Sequence, residues 1–161
     1  MPRDYPERIV CLTEETTETL YLLGEDWRIV GISGFTVRPP RARKDKPRVS
    51  AFTSAKLDRI VALEPDLVLG FSDLQADIAA ELIRRGIEVH VFNQRSVADI
   101  LRMLRTLGGM IGCEAKTATL VAGLEAGLDE VRAAAAQLDR RPRVYFEEWD
   151  EPQISAIRWV S

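Results

Sequence analysis

His90 is the sole histidine of the chain, and Cys11 and Cys113 are its only cysteines. A thiol in contact with an imidazole would form a nucleophile pair, the ring taking the thiol proton. His90, however, is flanked by Val89 and Val91, and Cys11 lies inside another apolar run. Neither stands at a strand end, where catalytic groups of parallel sheets project, so both read as packed residues even if their strands were neighbours. The cysteines lack the partner spacing of a zinc or thioredoxin-like motif and read as buried small hydrophobes, which excludes a disulfide framework. The acidic stretch Glu147-Glu148-Trp149-Asp150-Glu151 offers oxygen ligands to a cation. It has no histidine beside it, and strand geometry turns its carboxylates to opposite faces, which predicts a solvated rim and no metal. No glycine-rich dinucleotide fingerprint, phosphate loop or Gly-x-Ser-x-Gly elbow occurs. The expected protein is not an enzyme. What remains are three phenylalanines, Phe35, Phe52 and Phe71, each beside small polar residues such as Ser33-Gly34, Thr53-Ser54 and Ser72-Asp73. Aromatics in such loops suit the rim of a binding site if one architecture gathers them.

The elements that would gather them are short branched apolar runs alternating with helical patterns, at residues 8–12, 28–33, 66–71 and 88–92. This alternation predicts an α/β fold, an open parallel sheet with crossover helices, whose strands are covered on both faces and need no polar alternation. Helices are expected over residues 16–23, closed by Gly24; 55–63, stopped by Pro65; 74–85, closed by Gly86; and 96–108, where Ser96 with Asp99 makes a near capping box. On this plan Phe35 lies just past the second strand, Phe52 in the next loop and Phe71 at the end of the third, all at the carboxyl edge, where open parallel sheets bind ligands.

Residues 114–139 differ, because Val121, Leu124, Leu128, Val131, Ala135 and Leu138 recur at steps of three and four without a proline. They predict one long helix, with Gly123 and Gly127 marking close packing against a neighbour. A further strand-like run follows at residues 143–149. The predicted organisation is residues 1–112 as an α/β lobe, 113–139 as a long helix and 140–161 as the start of a second unit. Composition limits the partners. With 22 Lys and Arg against 25 Asp and Glu, the net charge of −3 provides no long-range attraction for nucleic acid or anionic lipid. The one basic cluster, Arg38 to Arg48, contains three prolines and no aromatic residue, and reads as a solvated loop.

Taken together, Arg8-Ile-Val-Cys-Leu-Thr13, Val30-Gly-Ile-Ser-Gly-Phe35, Arg48-Val-Ser-Ala-Phe52 and Leu57-Asp-Arg-Ile-Val-Ala-Leu-Glu-Pro-Asp-Leu-Val-Leu-Gly-Phe71 resemble the substrate-binding proteins of ATP-driven cobalamin, haem and iron-siderophore importers, most of all the cobalamin-binding branch. The resemblance runs along essentially the whole chain, and Leu63-Glu-Pro-Asp-Leu-Val-Leu69 is its most diagnostic piece. It implies two α/β lobes joined by one rigid helix, with a small-molecule metal complex clamped between them. It assigns ligand contact to Phe35, Phe52 and Phe71 and, after the first strand of the second lobe, to Trp149. It assigns docking on the membrane permease subunit to Asp58. The implied ligand is cobalamin, haem or a ferric siderophore, with no cofactor bound covalently. Phenylalanine supplies an apolar face without the hydroxyl or indole donor of the larger aromatics usual there. The first loop departs from the family, with Thr13-Glu14-Glu15 where a serine and proline are common.

The family is exported to the periplasm and its members run on by about another half of this length. The start of this sequence has no apolar core of signal-peptide length, which would mean a cytoplasmic protein if Met1 is the native start. A second reading is therefore a single-lobe cytoplasmic interaction or dimerisation module without ligand. On either reading a lone strand at residues 143–149, with Ile154, Ile157, Trp159 and Val160 beyond it, would leave backbone groups unpaired and apolar surface exposed. It is expected to lack order or to pair with a second copy, a homodimer through residues 143–161.

Overall fold

A computed structural model describes residues 4–155. Five parallel strands form the sheet, β1 (Ile9–Cys11), β2 (Ile29–Ser33), β3 (Arg48–Ser50), β4 (Leu67–Phe71) and β5 (Val89–Phe92), in the order β3-β2-β1-β4-β5. Strand periodicity sorts their side chains onto two faces. Ile9, Cys11, Leu67 and Leu69 meet helices α1 (Glu14–Leu22) and α5 (Val97–Met110), together with the first turns of α6 (Glu114–Ala136). Val10, Leu12, Val49 and Val68 meet α3 (Leu57–Ala62) and α4 (Ala76–Arg84) on the other face. The result is a three-layer α/β unit with apolar cores on both sides, the fold class expected from the alternation of runs.

Several expected features hold in detail. Gly24 and Gly86 leave their helices at φ of 71° and 78°, values that residues with a Cβ rarely adopt. Ser96 Oγ accepts from the Asp99 amide at 3.1 Å, and the Asp99 carboxylate accepts from the Arg95 amide at 3.1 Å. The diagnostic Leu-Glu-Pro-Asp stretch has a mechanical role: Asp66 accepts the backbone N–H groups of Glu7 at 2.8 Å and Arg8 at 2.9 Å, tying the start of β1 to the start of β4.

Other expectations need correction. The basic segment read as a loop contains a short helix, α2 (Ala42–Asp45), and its last residue, Arg48, opens strand β3, where Val49 is buried against α3 while the charges before it stay in solvent. β5 is an edge strand, so Val91 is exposed and His90 half-buried rather than covered on both faces. Cys11 and His90 are not on neighbouring strands: both are in register with Leu69, on opposite sides of β4. Burial pushes the Cys11 thiol up to about 11, and His90 stacks edge-on against Phe92 at 4.3 Å between ring centroids. Neither is poised as nucleophile or base.

Helix α6 ends at Ala136, and only Thr117 and Val121 are buried along it. The apolar stripe beyond Val121 faces solvent, Val131 being 68% exposed, and nothing lies within 4 Å of where a Cβ would stand on Gly123 or Gly127. The close packing expected there is absent among the described residues. The late strand is shorter than the run at 143–149 suggested. It is β6 (Glu147–Asp150), and it pairs antiparallel with β7 (Gln153–Ser155) of the same chain, so it finds its hydrogen-bond partner without a second copy. Ile157, Trp159 and Val160 lie outside the described residues.

Candidate functional site

The strand order reverses between β1 and β4, where the connection after β3 crosses over β1 to start β4 on its far side. At such a switch point two neighbouring loops leave the sheet in opposite directions and open a crevice. A cleft of about 410 Å³ opens here, lined by Glu14 and Glu15 from α1, Phe52, Phe71, and Gln94 to Val97 with Ile100 and Met103 at the start of α5.

Phe52 and Phe71 form its aromatic wall, their ring centroids 6.5 Å apart and tilted by 41°. One buried side chain holds both in place. Gln75 Oε1 accepts the Phe71 amide at 2.9 Å, while Gln75 Nε2 donates to the Phe52 carbonyl at 2.8 Å and, more weakly, to the Leu12 carbonyl at 3.5 Å. The exits of β1, β3 and β4 thus meet on one amide. Gly70 makes room for it, since a Cβ there would stand 2.9 Å from Gln75 Oε1. Ser72 turns the chain out of β4 at a φ of 61°, with its Oγ accepting from the Leu74 amide at 3.2 Å. None of this was visible in the sequence, where Gln75 reads as one more residue of an amphipathic helix.

The polar groups of the cleft come from α1 and from the loop after β5. Gln94 Nε2 donates to Glu15 Oε1 at 3.2 Å, and burial pushes the Glu15 carboxyl above the usual carboxylate range. Arg95 lays its guanidinium over the Phe71 ring at 5.0 Å and sits 3.6 Å from an Asp73 carboxylate oxygen. Among the described residues no group of histidine, cysteine and carboxylates is arranged to hold a metal ion. The cleft can therefore offer an apolar surface bordered by acceptors and one cation.

Of the residues singled out in the sequence, Phe52 and Phe71 come together here. Phe35 does not join them: it stands past the end of β2, 56% exposed, and is not part of the cleft lining. Asp58 lies in the first turn of α3, away from the cleft, its side chain 97% exposed while Oδ1 accepts from Arg85 Nη1 at 2.8 Å. The backbone of Trp149 lies in β6, and its side chain falls outside the described residues.

Residues 9–161 match the family model described as periplasmic binding protein. A cobalamin-binding protein of Halobacterium salinarum is 28% identical over 144 residues, covering 88% of this chain and 39% of that protein. An ABC transporter substrate-binding lipoprotein of Bacillus subtilis is 26% identical over 155 residues, covering 92% of this chain and 49% of its own. The chain thus spans less than half the length of these two relatives. Among solved structures, the periplasmic vitamin B12 binding protein of Vibrio cholerae superposes with a TM-score of 0.80 at 20% identity, covering 93% of this chain and 58% of that one.

Proposed function

Because the chain belongs to the periplasmic binding protein family, we propose that it supplies one ligand-contacting face of a non-catalytic solute-binding protein for a cobalamin-like corrinoid or a related metal complex. The observation that carries this reading is the pairing of Phe52 with Phe71 beside a cleft at the switch point of the sheet. A broad, flat, largely apolar ligand gains most from such a wall, because ring faces bury large area without a directional requirement. In this reading residues 1–112 are the first lobe, 113–139 the connecting helix and 140–161 the start of a second lobe, whose Trp149 would approach the ligand from the opposite side. Phe35 would contact the ligand's periphery as an exposed rim residue.

The proposed partner is the membrane permease of an ATP-driven importer. Asp58, exposed on α3 and paired with Arg85, would exchange that pairing for a basic residue of the permease. The proposed compartment is the periplasm or the outer cell surface. No described helix is long and apolar enough to cross a membrane. The test is a calorimetric or absorbance titration of the full-length protein with cyanocobalamin, haem and a ferric siderophore. Saturable binding of cyanocobalamin is expected, and binding of none of the three overturns the reading.

A further inference from the structure

Glu14 and Glu15 open α1 on one wall of the cleft, and Gln94 faces Glu15 from the exit of β5. Gln94 gives one of its two N–H groups to Glu15 Oε1, which fixes the amide with Oε1 turned away; the reverse orientation would set two acceptors against each other. That Oε1 is buried and has no hydrogen-bond partner. A buried acceptor left unmade is costly. Glu14 and Glu15 line this end of the cleft with carboxylate acceptors, beside the second N–H of Gln94. Desolvation raises the Glu15 carboxyl, and a ligand N–H reaching it would replace the missing water. Arg95 is the opposing charge on the lining, and it is already engaged by Asp73 at 3.6 Å, by Asn93 Oδ1 at 3.1 Å and by the Phe71 ring.

We propose that this end of the cleft reads N–H donors, so that it admits ligands whose periphery carries carboxamides and turns away those bearing carboxylates or phenolates at the same positions. The proposal rests on the solute-binding reading above and adds the residues that choose within it: Glu15, oriented by Gln94, reads the donor, and Glu14 adds repulsion of anions. Discrimination of this kind comes as much from repelling the wrong ligand as from attracting the right one.

Two corrinoids with the same metal and macrocycle separate these effects: dicyanocobinamide, with carboxamide arms, and dicyanocobyrinic acid, with carboxylates in their place. The full-length protein is expected to bind the amide form at least about tenfold more tightly. In Glu15→Gln, which keeps an acceptor for Gln94, the ratio should narrow about three- to tenfold through tighter binding of the polyacid, and Glu14→Gln should move it the same way by less. Circular dichroism verifies that both variants are folded. An unchanged ratio in both variants overturns the charge filter while leaving solute binding intact. Haem, with two propionates, binding wild type as tightly as the amide corrinoid also overturns the filter alone. Binding of neither corrinoid nor haem overturns both readings.

Discussion

Phe71 and Gln75 do different work within 4 positions of each other. Phe71 presents a ring to the cleft, and Gln75 holds the backbone that carries it. Phe71→Ala should therefore weaken ligand binding by about 1–3 kcal/mol, the usual range for losing a buried aromatic contact, read as the shift in dissociation constant by titration. Gln75→Leu should act on stability first. It removes the acceptor of the buried Phe71 N–H and the donor to the half-buried Phe52 carbonyl, and losing the buried bond alone costs about 1–3 kcal/mol, measured as a lower urea midpoint. It should also weaken ligand binding although it contributes no ring; a variant with unchanged urea midpoint and affinity would contradict the stapling role. Phe71 was readable in the sequence because an aromatic closing an apolar run at a strand end is a local pattern. Gln75 was not, because its partners lie 4, 23 and 63 positions away and only folding brings them together.

Helices α5 and α6 pack closely because Gly108 meets Thr117, whose Oγ1 is occupied by a hydrogen bond to the Cys113 carbonyl at 2.9 Å. A Cβ on Gly108 would stand 2.1 Å from Thr117 Oγ1 and 2.7 Å from its Cβ, so Gly108→Ala must push the helices apart. Its gain in helix propensity is about 1 kcal/mol, whereas overpacking costs about 1–3 kcal/mol. A net loss of stability is expected, seen as a lower thermal midpoint; a higher midpoint would show that the contact relaxes freely. The long helix is predictable from its unbroken period, and Gly123 and Gly127 are the positions where the sequence points to a close contact. The contact lies instead at Gly108, on the preceding helix, since periodicity marks an apolar stripe without naming the stretch that finds a partner. The strand at Arg48–Ser50 was missed for a related reason. It is 3 residues long, too short for a pattern, and becomes a strand because β2 offers it a ladder.

Across the whole molecule, the base of α6 is locked to the lobe through Glu25, which is buried and accepts from Lys116 Nζ at 2.6 Å, Arg28 Nε at 2.8 Å and Trp27 Nε1 at 3.1 Å. Desolvation alone would raise its carboxyl, but the hydrogen bonds from Lys116 and Arg28 outweigh it and hold the carboxyl at about 2, against an ordinary 4.5. A carboxyl depressed in the folded state stabilises above its unfolded value and loses that contribution as the pH falls through the folded one. Glu25 should therefore contribute on the order of 2–3 kcal/mol near neutrality, discounted for the solvated Lys116, and that contribution should fade between pH 4.5 and about 2. Glu25→Gln should lower stability at pH 7 and flatten its dependence on pH over that window, as measured by denaturant titrations at several pH values; parallel curves for the two proteins would refute the assignment. Hydrophobic period, branched runs, glycine exits and the Ser96 cap were enough to determine the fold class, because each acts within a few residues along the chain. The meeting of Phe52 with Phe71, the separation of Phe35 from them, the Gln75 staple, the Glu15 and Gln94 pair and the burial of Glu25 were decided only in three dimensions. Each depends on strand order, on which neighbour a strand takes and on how deeply a group is withdrawn from water, and those quantities belong to the assembled sheet rather than to any stretch of sequence.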